Sequence, residues 1–489
     1  MKDEKRVESL ITGNFKKENI FVQESNIVFT YKELFKYLVF CNLFFESKNI
    51  KKIMISLPQG FYAYATVLGA FFSKITFCTI RCDDPIDRKM HYFREFEPDI
   101  ILCDVDDSFW NCDMEDKLYI VHKQMYNNTH DLGLKYDGKQ SVAYVMFTSG
   151  TTGKPKGVQI KRAALCKSVL WMYNKFGLIE EDICSQYSFM SFDMSLIDIF
   201  LAATAGARLI PFPTLTDKLF PEKLIKKYKI TFWHSVPTVI DILNSRKVLT
   251  NEWIGTIKKS KIGGDRILVN QLKVFLEVLP DVRVFITYGT TEITFICTCV
   301  EVNSQNYLLY AKHNMSIGFP IDGWDVILDN EENGVGQIVI VGNNIGVGYL
   351  NSQESRFGYI IYNGKKEPAF YTGDYGKFID GCLYYIGRKD QQIKIAGNRI
   401  SLSEIDTIVR DIEGCLSAVS IFVEGKIILF YSGTLTEESI RRTIHEKLPD
   451  VCMPYKIIAL SSMPYNNSGK IDRYALVKMV KGEQNDIGL

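Results

Sequence analysis

The chain has 489 residues, 46% of them hydrophobic and 24% charged, enough for one large core and ordinarily for two or more domains. Its 58 basic and 57 acidic side chains leave a formal charge of +1, which excludes a global field drawing the protein to nucleic acid or an anionic membrane. Any anion site is therefore local. The opening Met1-Lys-Asp-Glu-Lys-Arg6 is charged with no apolar run behind it, so neither a secretory leader nor a membrane span is expected, and the expected location is cytoplasmic. Twelve cysteines without a Cys-x-x-Cys pair, and six histidines without zinc spacing, read as reduced structural thiols and no metal cage.

Short apolar segments alternate with longer amphipathic ones through the first half. Lys52 to Leu57 reads as a strand and Tyr62 to Phe72 as a helix; Arg208 to Pro211, Glu222 to Tyr228 and Thr231 to Trp233 repeat the strand, helix, strand rhythm. That rhythm predicts parallel sheets flanked by helices. From about Gly318 the pattern becomes β-rich, as in Gly336 to Val341 and Cys382 to Ile386, and a boundary is expected after Gly387-Arg-Lys-Asp390. Beyond it, a strand at Gln392 to Ile395, a turn at Gly397-Asn398, a helix at Ser403 to Ile412, strands at Leu416 to Val423 and Ile427 to Tyr431, and a helix from Glu437 make a small α+β unit. The fold class expected is α/β: a large N-terminal domain (1–388) of parallel sheets flanked by helices plus a β-rich subdomain, with a small mobile α+β C-terminal domain (389–489).

One stretch carries chemistry by itself. Tyr144-Val-Met-Phe147 is a buried-strand pattern that runs directly into Thr148-Ser-Gly-Thr-Thr-Gly-Lys-Pro-Lys-Gly157. Thr148, Ser149, Thr151 and Thr152 bring hydroxyls, Gly150, Gly153 and Gly157 free the backbone to aim N–H groups at an anion, and Lys154 and Lys156 add positive charge. Phosphate suits such a loop. It is not the loop of the nucleotide-hydrolysing ATPases, because only Thr151 and Thr152 separate Gly150 from Gly153 and Pro155 follows Lys154.

Further words fall in a familiar order: Phe29-Thr-Tyr-Lys-Glu-Leu34, Phe192-Asp-Met-Ser195, Gly263-Gly-Asp265, Tyr288-Gly-Thr-Thr-Glu292, Tyr371-Thr-Gly-Asp374, Gly387 to Lys394, Gly397-Asn-Arg399 and Asn467-Ser-Gly-Lys-Ile-Asp-Arg473. Together with the loop they resemble the core motifs of the adenylate-forming enzymes, and within that superfamily the amino acid adenylation domains of nonribosomal peptide synthesis and the D-alanine:carrier protein ligases. The resemblance implies a ligase that makes aminoacyl-AMP from an amino acid and Mg-ATP, releases pyrophosphate, and transfers the aminoacyl group to the phosphopantetheine thiol of a carrier protein in trans. ATP and Mg²⁺ are the implied cofactors.

By the same resemblance, Thr148 to Gly157 embrace the β- and γ-phosphates, Thr291 contacts the α-phosphate, Glu292 holds Mg²⁺ with help from Thr148, Tyr288 stacks on adenine, and Asp374 and Arg388 bind the ribose. Lys470 bridges the substrate carboxylate and the α-phosphate. Asp193 pairs with the substrate ammonium, which implies an amino acid. The pocket positions are Asp193, Met194, Ile197, His234, Lys261, Gly263, Thr287, Phe295 and Ile296. Asp390 is the hinge, and Lys394 and Gly397 approach the thiol tunnel.

Four departures stand out: Ile286 where the family often has Asn, Thr290 for Pro, Asp265 for Glu, and Ser401 where Glu is usual. The first puts local substrate contacts in question. Lys261 and His234 together suit an acidic or strongly polar substrate side chain, or Ile262 points inward in place of Lys261, since strand neighbours face opposite ways. The amino acid and its enantiomer stay open. A coenzyme A ligase for a small carboxylic acid and a degenerate nucleotide-binding scaffold are the alternatives.

Overall fold

The computed structural model describes residues 2–104, 118–120, 134–148, 155–312, 314–352, 356–388, 392–395, 398–464 and 471–481. The chain divides into two compact units, one of Met1–Cys82, Phe93–Phe147 and Gly157–Lys389, the other of Asp83–Tyr92, Thr148–Lys156 and Asp390–Leu489.

The first unit is built on three sheets. A nine-stranded sheet has a parallel centre, running from Ile20–Glu24 through Arg208–Pro211, Ile183–Gln186, Phe232–Ser235 and Lys259–Gly263 to Arg283–Tyr288, with antiparallel strands at its edges. A seven-stranded sheet carries Lys52–Ser56 between Thr76–Thr79 and Ile100–Cys103, with Val142–Thr148 and Lys156–Lys161 beyond Thr76–Thr79. The third sheet, of five strands between Asp325 and Arg388, is antiparallel. The parallel and β-rich halves fall where the alternation of apolar segments puts them.

Both faces of the nine-stranded sheet are buried, and the side-chain alternation assigns residues to one face or the other. Phe232 and Phe285 enter the main core cluster, whereas Trp233, Ile262, Val284 and Ile286 enter a second cluster on the opposite face. With a period of two, His234 shares the face of Phe232, Lys261 lies opposite to Ile262, and Thr287 shares the face of Phe285. This face receives the Asp193–Ala205 helix. Ile286, whose place an Asn often fills, packs into the second cluster, so its loss of an amide falls on the far side of the sheet from Asp193.

Local chemistry explains several of the sequence words. Thr30 caps the Tyr31–Ser47 helix: its Oγ1 accepts from the Glu33 N–H at 3.2 Å and the Glu33 Oε2 accepts from the Thr30 N–H at 2.7 Å, a reciprocal capping box. The Phe29 to Leu34 word is thus a helix start. Gly157 is not a turn residue but lies in the Lys156–Lys161 strand, where a Cβ would come within 2.8 Å of Val145 Cγ1, and its carbonyl accepts from the Leu350 N–H. Close packing requires glycine there.

The second unit has its own core of Ile400, Leu402, Ile405, Val409, Leu429, Ile440 and Ile444, and a smaller one around Phe430 and Leu476. Its helix spans Leu402–Arg410, shorter than the expected Ser403 to Ile412, because Asp411 takes the C-cap. Asn398, expected in a turn, is the first residue of the Asn398–Ser401 strand and pairs with Ile395.

Candidate active site

Residues from distant parts of the first unit converge at the C-terminal end of the Arg283–Tyr288 strand. Tyr288 closes that strand, and its hydroxyl donates to Asp374 Oδ2 at 2.7 Å. Asp374 and Arg388 are cross-strand partners, and the guanidinium donates from Nη1 to Asp374 Oδ1 at 2.6 Å and from Nη2 to the Thr372 carbonyl at 3.2 Å. The Asp374 backbone N–H donates in turn to Thr372 Oγ1, which donates to the Ile338 carbonyl. Asp374 is fully buried and the Arg388 side chain nearly so, which fixes both. A carboxylate offers about four lone-pair sites, so these two bonds leave it capacity for two more donors. Burial, and then Asp374 itself, push the Tyr288 hydroxyl well above its ordinary pKa, keeping it a donor.

Immediately after Tyr288 the chain makes a 3-10 turn, Thr291–Ile293, pinned from several directions. Trp324 Nε1 donates to the Ile293 carbonyl, Ser168 Oγ to the Thr294 carbonyl, Thr294 Oγ1 to the Asn344 carbonyl, and the Gly346 N–H to the Glu292 carbonyl. Thr294 and Phe295 both hold positive φ, at 64° and 79°, which for a β-branched and then a bulky residue is a strained arrangement that only such a network sustains. The Glu292 side chain is buried and accepts from the Tyr349 hydroxyl at 2.8 Å. Gly289 permits the fold-back: a Cβ there would stand 2.1 Å from the Phe295 carbonyl oxygen and 2.6 Å from Ile296 Cα. Because backbone stands in the way, Gly289→Ala is expected to destabilise the protein by about 3 kcal/mol, the upper end for overpacking, read as a lower denaturation midpoint.

Asp193 is the first residue of the Asp193–Ala205 helix and is buried. Burial lifts its pKa to about 6, opposed by a hydrogen bond with Thr291 and by the Lys261 charge, and reinforced by Glu292. One helical turn on, Ile197 is in the main core. Gly263 and Thr287 are partners in adjacent parallel strands, and a Cβ on Gly263 would meet Thr287 Oγ1 at 2.5 Å. Met194 Sδ would stand 3.2 Å from a Cβ on Gly264. Phe295 stacks on Tyr144 with ring centroids 6.2 Å apart, and Ile296 is buried beside it.

His234 and Lys261 are also strand partners, and their side chains form a buried chain with the helix: Lys261 Nζ to His234 Nε2 at 2.8 Å, and His234 Nδ1 to Asp198 Oδ1 at 2.5 Å. An ammonium only donates, so Nε2 accepts and Nδ1 carries the proton it donates to Asp198. Burial, then Lys261, hold His234 well below its ordinary pKa, in keeping with this neutral tautomer, and burial lowers Lys261 to about 8 against the pull of Asp198 and Asp193. The Lys261 and Ile262 alternatives are resolved by the sheet: Lys261 faces the helix.

The structure therefore brings together Asp193, Thr291, Lys261 and His234 in one neighbourhood, and Tyr288, Asp374 and Arg388 in another. Thr148 ends the Val142–Thr148 strand and Lys156 opens the next. Ser149, Gly150, Thr151, Thr152, Gly153 and Lys154, with Asp390, Gly397 and Lys470, lie outside the described residues; Lys394 falls in the Gln392–Ile395 strand. The flanks of the Lys470 segment are described. The Asp472 N–H donates to the Pro464 carbonyl at 2.8 Å, and Arg473 donates to the Ser420 carbonyl and to Asp406 Oδ2.

Asp198, Tyr144 and Tyr349 are neighbours that sequence reading missed. Asp198 had a signal, a lone carboxylate inside the apolar run Leu196-Ile-Asp-Ile-Phe200. Tyr144 and Tyr349 had none, since their hydroxyls matter only through residues far away in the chain.

Among the described residues no helix is long and apolar enough to cross a membrane, and no group of three or more His, Cys, Asp or Glu side chains could hold a metal ion. Among the described residues Cys297 and Cys299 are buried free thiols.

A D-alanine--D-alanyl carrier protein ligase of Lactococcus lactis subsp. lactis (strain IL1403) is 27% identical over 496 residues, covering 95% of this chain and 96% of the relative. An L-proline--[L-prolyl-carrier protein] ligase of Streptomyces coelicolor is 30% identical over 354 residues, 68% of this chain and 65% of the relative. The fold matches that of the Vibrio cholerae adenylation domain AlmE, crystallised with glycyl-adenosine-5'-phosphate, with a TM-score of 0.85, 21% identity and 98% of each chain covered. The model of the AMP-binding enzyme family matches residues 13–350, the stretch that supplies the nine-stranded sheet, Asp193, Lys261 and the Thr291–Ile293 turn, and the chain belongs to that family.

Proposed function

We propose that this protein is an amino acid:carrier protein ligase that uses ATP. In the first half-reaction a carboxylate oxygen of the amino acid attacks the α-phosphorus of ATP; the new O–P bond forms as the bond to pyrophosphate breaks, giving aminoacyl-AMP. In the second, the phosphopantetheine thiol of a carrier protein attacks the acyl carbon, AMP leaves, and the thiol proton passes to solvent. The observation that carries this reading is Asp193, a buried carboxylate opening a helix beside Thr291 and within the field of Lys261. A buried carboxylate calls for a cationic partner, and a substrate ammonium supplies one.

In this reading Asp374 accepts the two ribose hydroxyls with its remaining lone pairs, Arg388 holds it in place, and Tyr288 packs against the adenine. Glu292 fits Mg²⁺ as a hard oxygen donor held in position by Tyr349. Magnesium bound through one carboxylate and phosphate oxygens needs no cage of three protein ligands. Thr148 assists, and the Thr148 to Gly157 loop, with Lys154 and Lys156, takes the β- and γ-phosphates. When bound, the metal neutralises phosphate charge. Residues 1–388 form the adenylation core and 389–489 a lid that turns about Asp390 between half-reactions, bringing Lys394 and Gly397 toward the thiol.

Tyr349→Phe removes a hydrogen bond to the buried Glu292 carboxylate. Bonds to charged groups contribute about 1.5–3 kcal/mol, so KM for Mg-ATP is expected to rise roughly tenfold or more, with KM for the amino acid unchanged, in steady-state kinetics. The test of the function is amino-acid-dependent exchange of labelled pyrophosphate into ATP.

A further inference from the structure

We infer that the amino acid activated here carries an oxygen acceptor on its side chain, a hydroxyl, carboxamide or carboxylate, received by the ammonium of Lys261. The inference rests on the reading of Asp193 as the ammonium site and deepens it to a substrate class.

Lys261 is 1% exposed, and an ammonium has three donors and no acceptor. Among the described residues His234 Nε2 is its hydrogen-bond partner, which engages one donor. The imidazole is locked in its turn by Asp198, so it holds the Lys261 head in one place on the sheet face that carries the Asp193 helix. Lys261 and Asp193 lie within each other's electrostatic reach, so a molecule whose ammonium sits on Asp193 presents its side chain near Lys261. A second observation points the same way. The Tyr144 hydroxyl, also within the field of Asp193, is fully buried with no hydrogen-bond partner among the described residues. Two buried donors thus stand within the field of Asp193, and glycine or alanine, with nothing to offer them, would leave them unsatisfied.

Polar specificity of this kind discriminates strongly, because the analogue lacking the acceptor leaves buried donors unpaired; methylene-sized differences in an apolar pocket discriminate only weakly. The expectation is therefore a substrate of the serine, asparagine, aspartate or related class, of either enantiomer, in place of D-alanine or glycine. Hydroxyl, carboxamide and carboxylate share the chemistry and are separated by the assay.

The experiment is pyrophosphate exchange with the full chain over matched sets, in both enantiomers: serine against alanine and 2-aminobutyrate, asparagine and aspartate against leucine, glutamine and glutamate against methionine, and glycine. An acceptor-bearing amino acid is expected to exceed its apolar counterpart by at least about 100-fold in kcat/KM. Lys261→Met, similar in volume but without donors, is expected to reduce that ratio to below about tenfold. Wild-type selectivity needs no variant, so a Lys261→Met protein that fails to fold leaves the question decidable. Exchange that is fastest with glycine, alanine or leucine overturns this inference while the ligase reading stands. Exchange only with acids lacking an ammonium overturns both. A ratio unchanged by Lys261→Met in folded protein shows that Lys261 donates to something other than substrate and also overturns it.

Discussion

Lys470→Ala is expected to lower the rate of adenylate formation by about 10²–10³-fold, the range seen when one preorganised donor to developing charge is removed, with the melting temperature unchanged. The substrate carboxylate and the α-phosphate are both anions, and their approach raises charge between them that neither ground state holds. A cation placed there stabilises the transition state more than the bound substrates, so kcat falls while KM for ATP moves little. The described residues on either side of Lys470 are tied to one another and to their neighbours. The Asp472 N–H reaches the Pro464 carbonyl, and Arg473 is tied to Ser420 and to the buried Asp406. Stopped-flow or exchange measurements on Lys470→Ala, paired with thermal denaturation, separate loss of chemistry from loss of fold. An unaffected rate assigns the cation's task elsewhere.

Asp193→Asn should have the second-largest effect. Truncating one side of a buried charge pair typically removes 2–5 kcal/mol, so kcat/KM for the amino acid is expected to fall roughly 10²-fold or more, with KM for ATP nearly unchanged. The pH dependence has a definite sign. Burial raises the Asp193 pKa to about 6, and the ammonium needs the ionised form, so kcat/KM for the amino acid falls as pH drops through about 6 and is flat above it until other groups titrate. Thr291 and Lys261 favour the carboxylate and Glu292 opposes it, so the midpoint reflects all three. In Asp193→Asn the acid limb at that position disappears. A coenzyme A ligase acting on a simple acid would keep its activity in this variant.

Much of this was legible in the chain because apolar periodicity reports burial directly. Arg208–Pro211 falls where its apolar run puts it, since a strand buried on both faces reads as continuously apolar, and Gln392–Ile395 where Ile393 and Ile395 alternate with polar residues in a two-stranded hairpin. Boundaries shifted where capping decided them, as at Leu402–Arg410, and where packing replaced a turn, as at Gly157. The words around Tyr288, Asp374 and Arg388 could be read, but their mutual hydrogen bonds could not, because the packing of one sheet beside another joins residues 86 apart in sequence. The choice between Lys261 and Ile262 needed the strand's neighbours: only the pairing of His234 with Lys261, and the helix that brings Asp198, fixes which side chain faces the site.

The function depends on the joining of an amino acid to AMP at this site. Incubating the protein with ATP, Mg²⁺, labelled pyrophosphate and single amino acids measures this step: label should enter ATP in the presence of one amino acid or a narrow set, and its entry should slow roughly 10²-fold or more when Asp193 is replaced by asparagine. Label entering ATP equally with every carboxylic acid tried, or only with acids that have no ammonium, would contradict it.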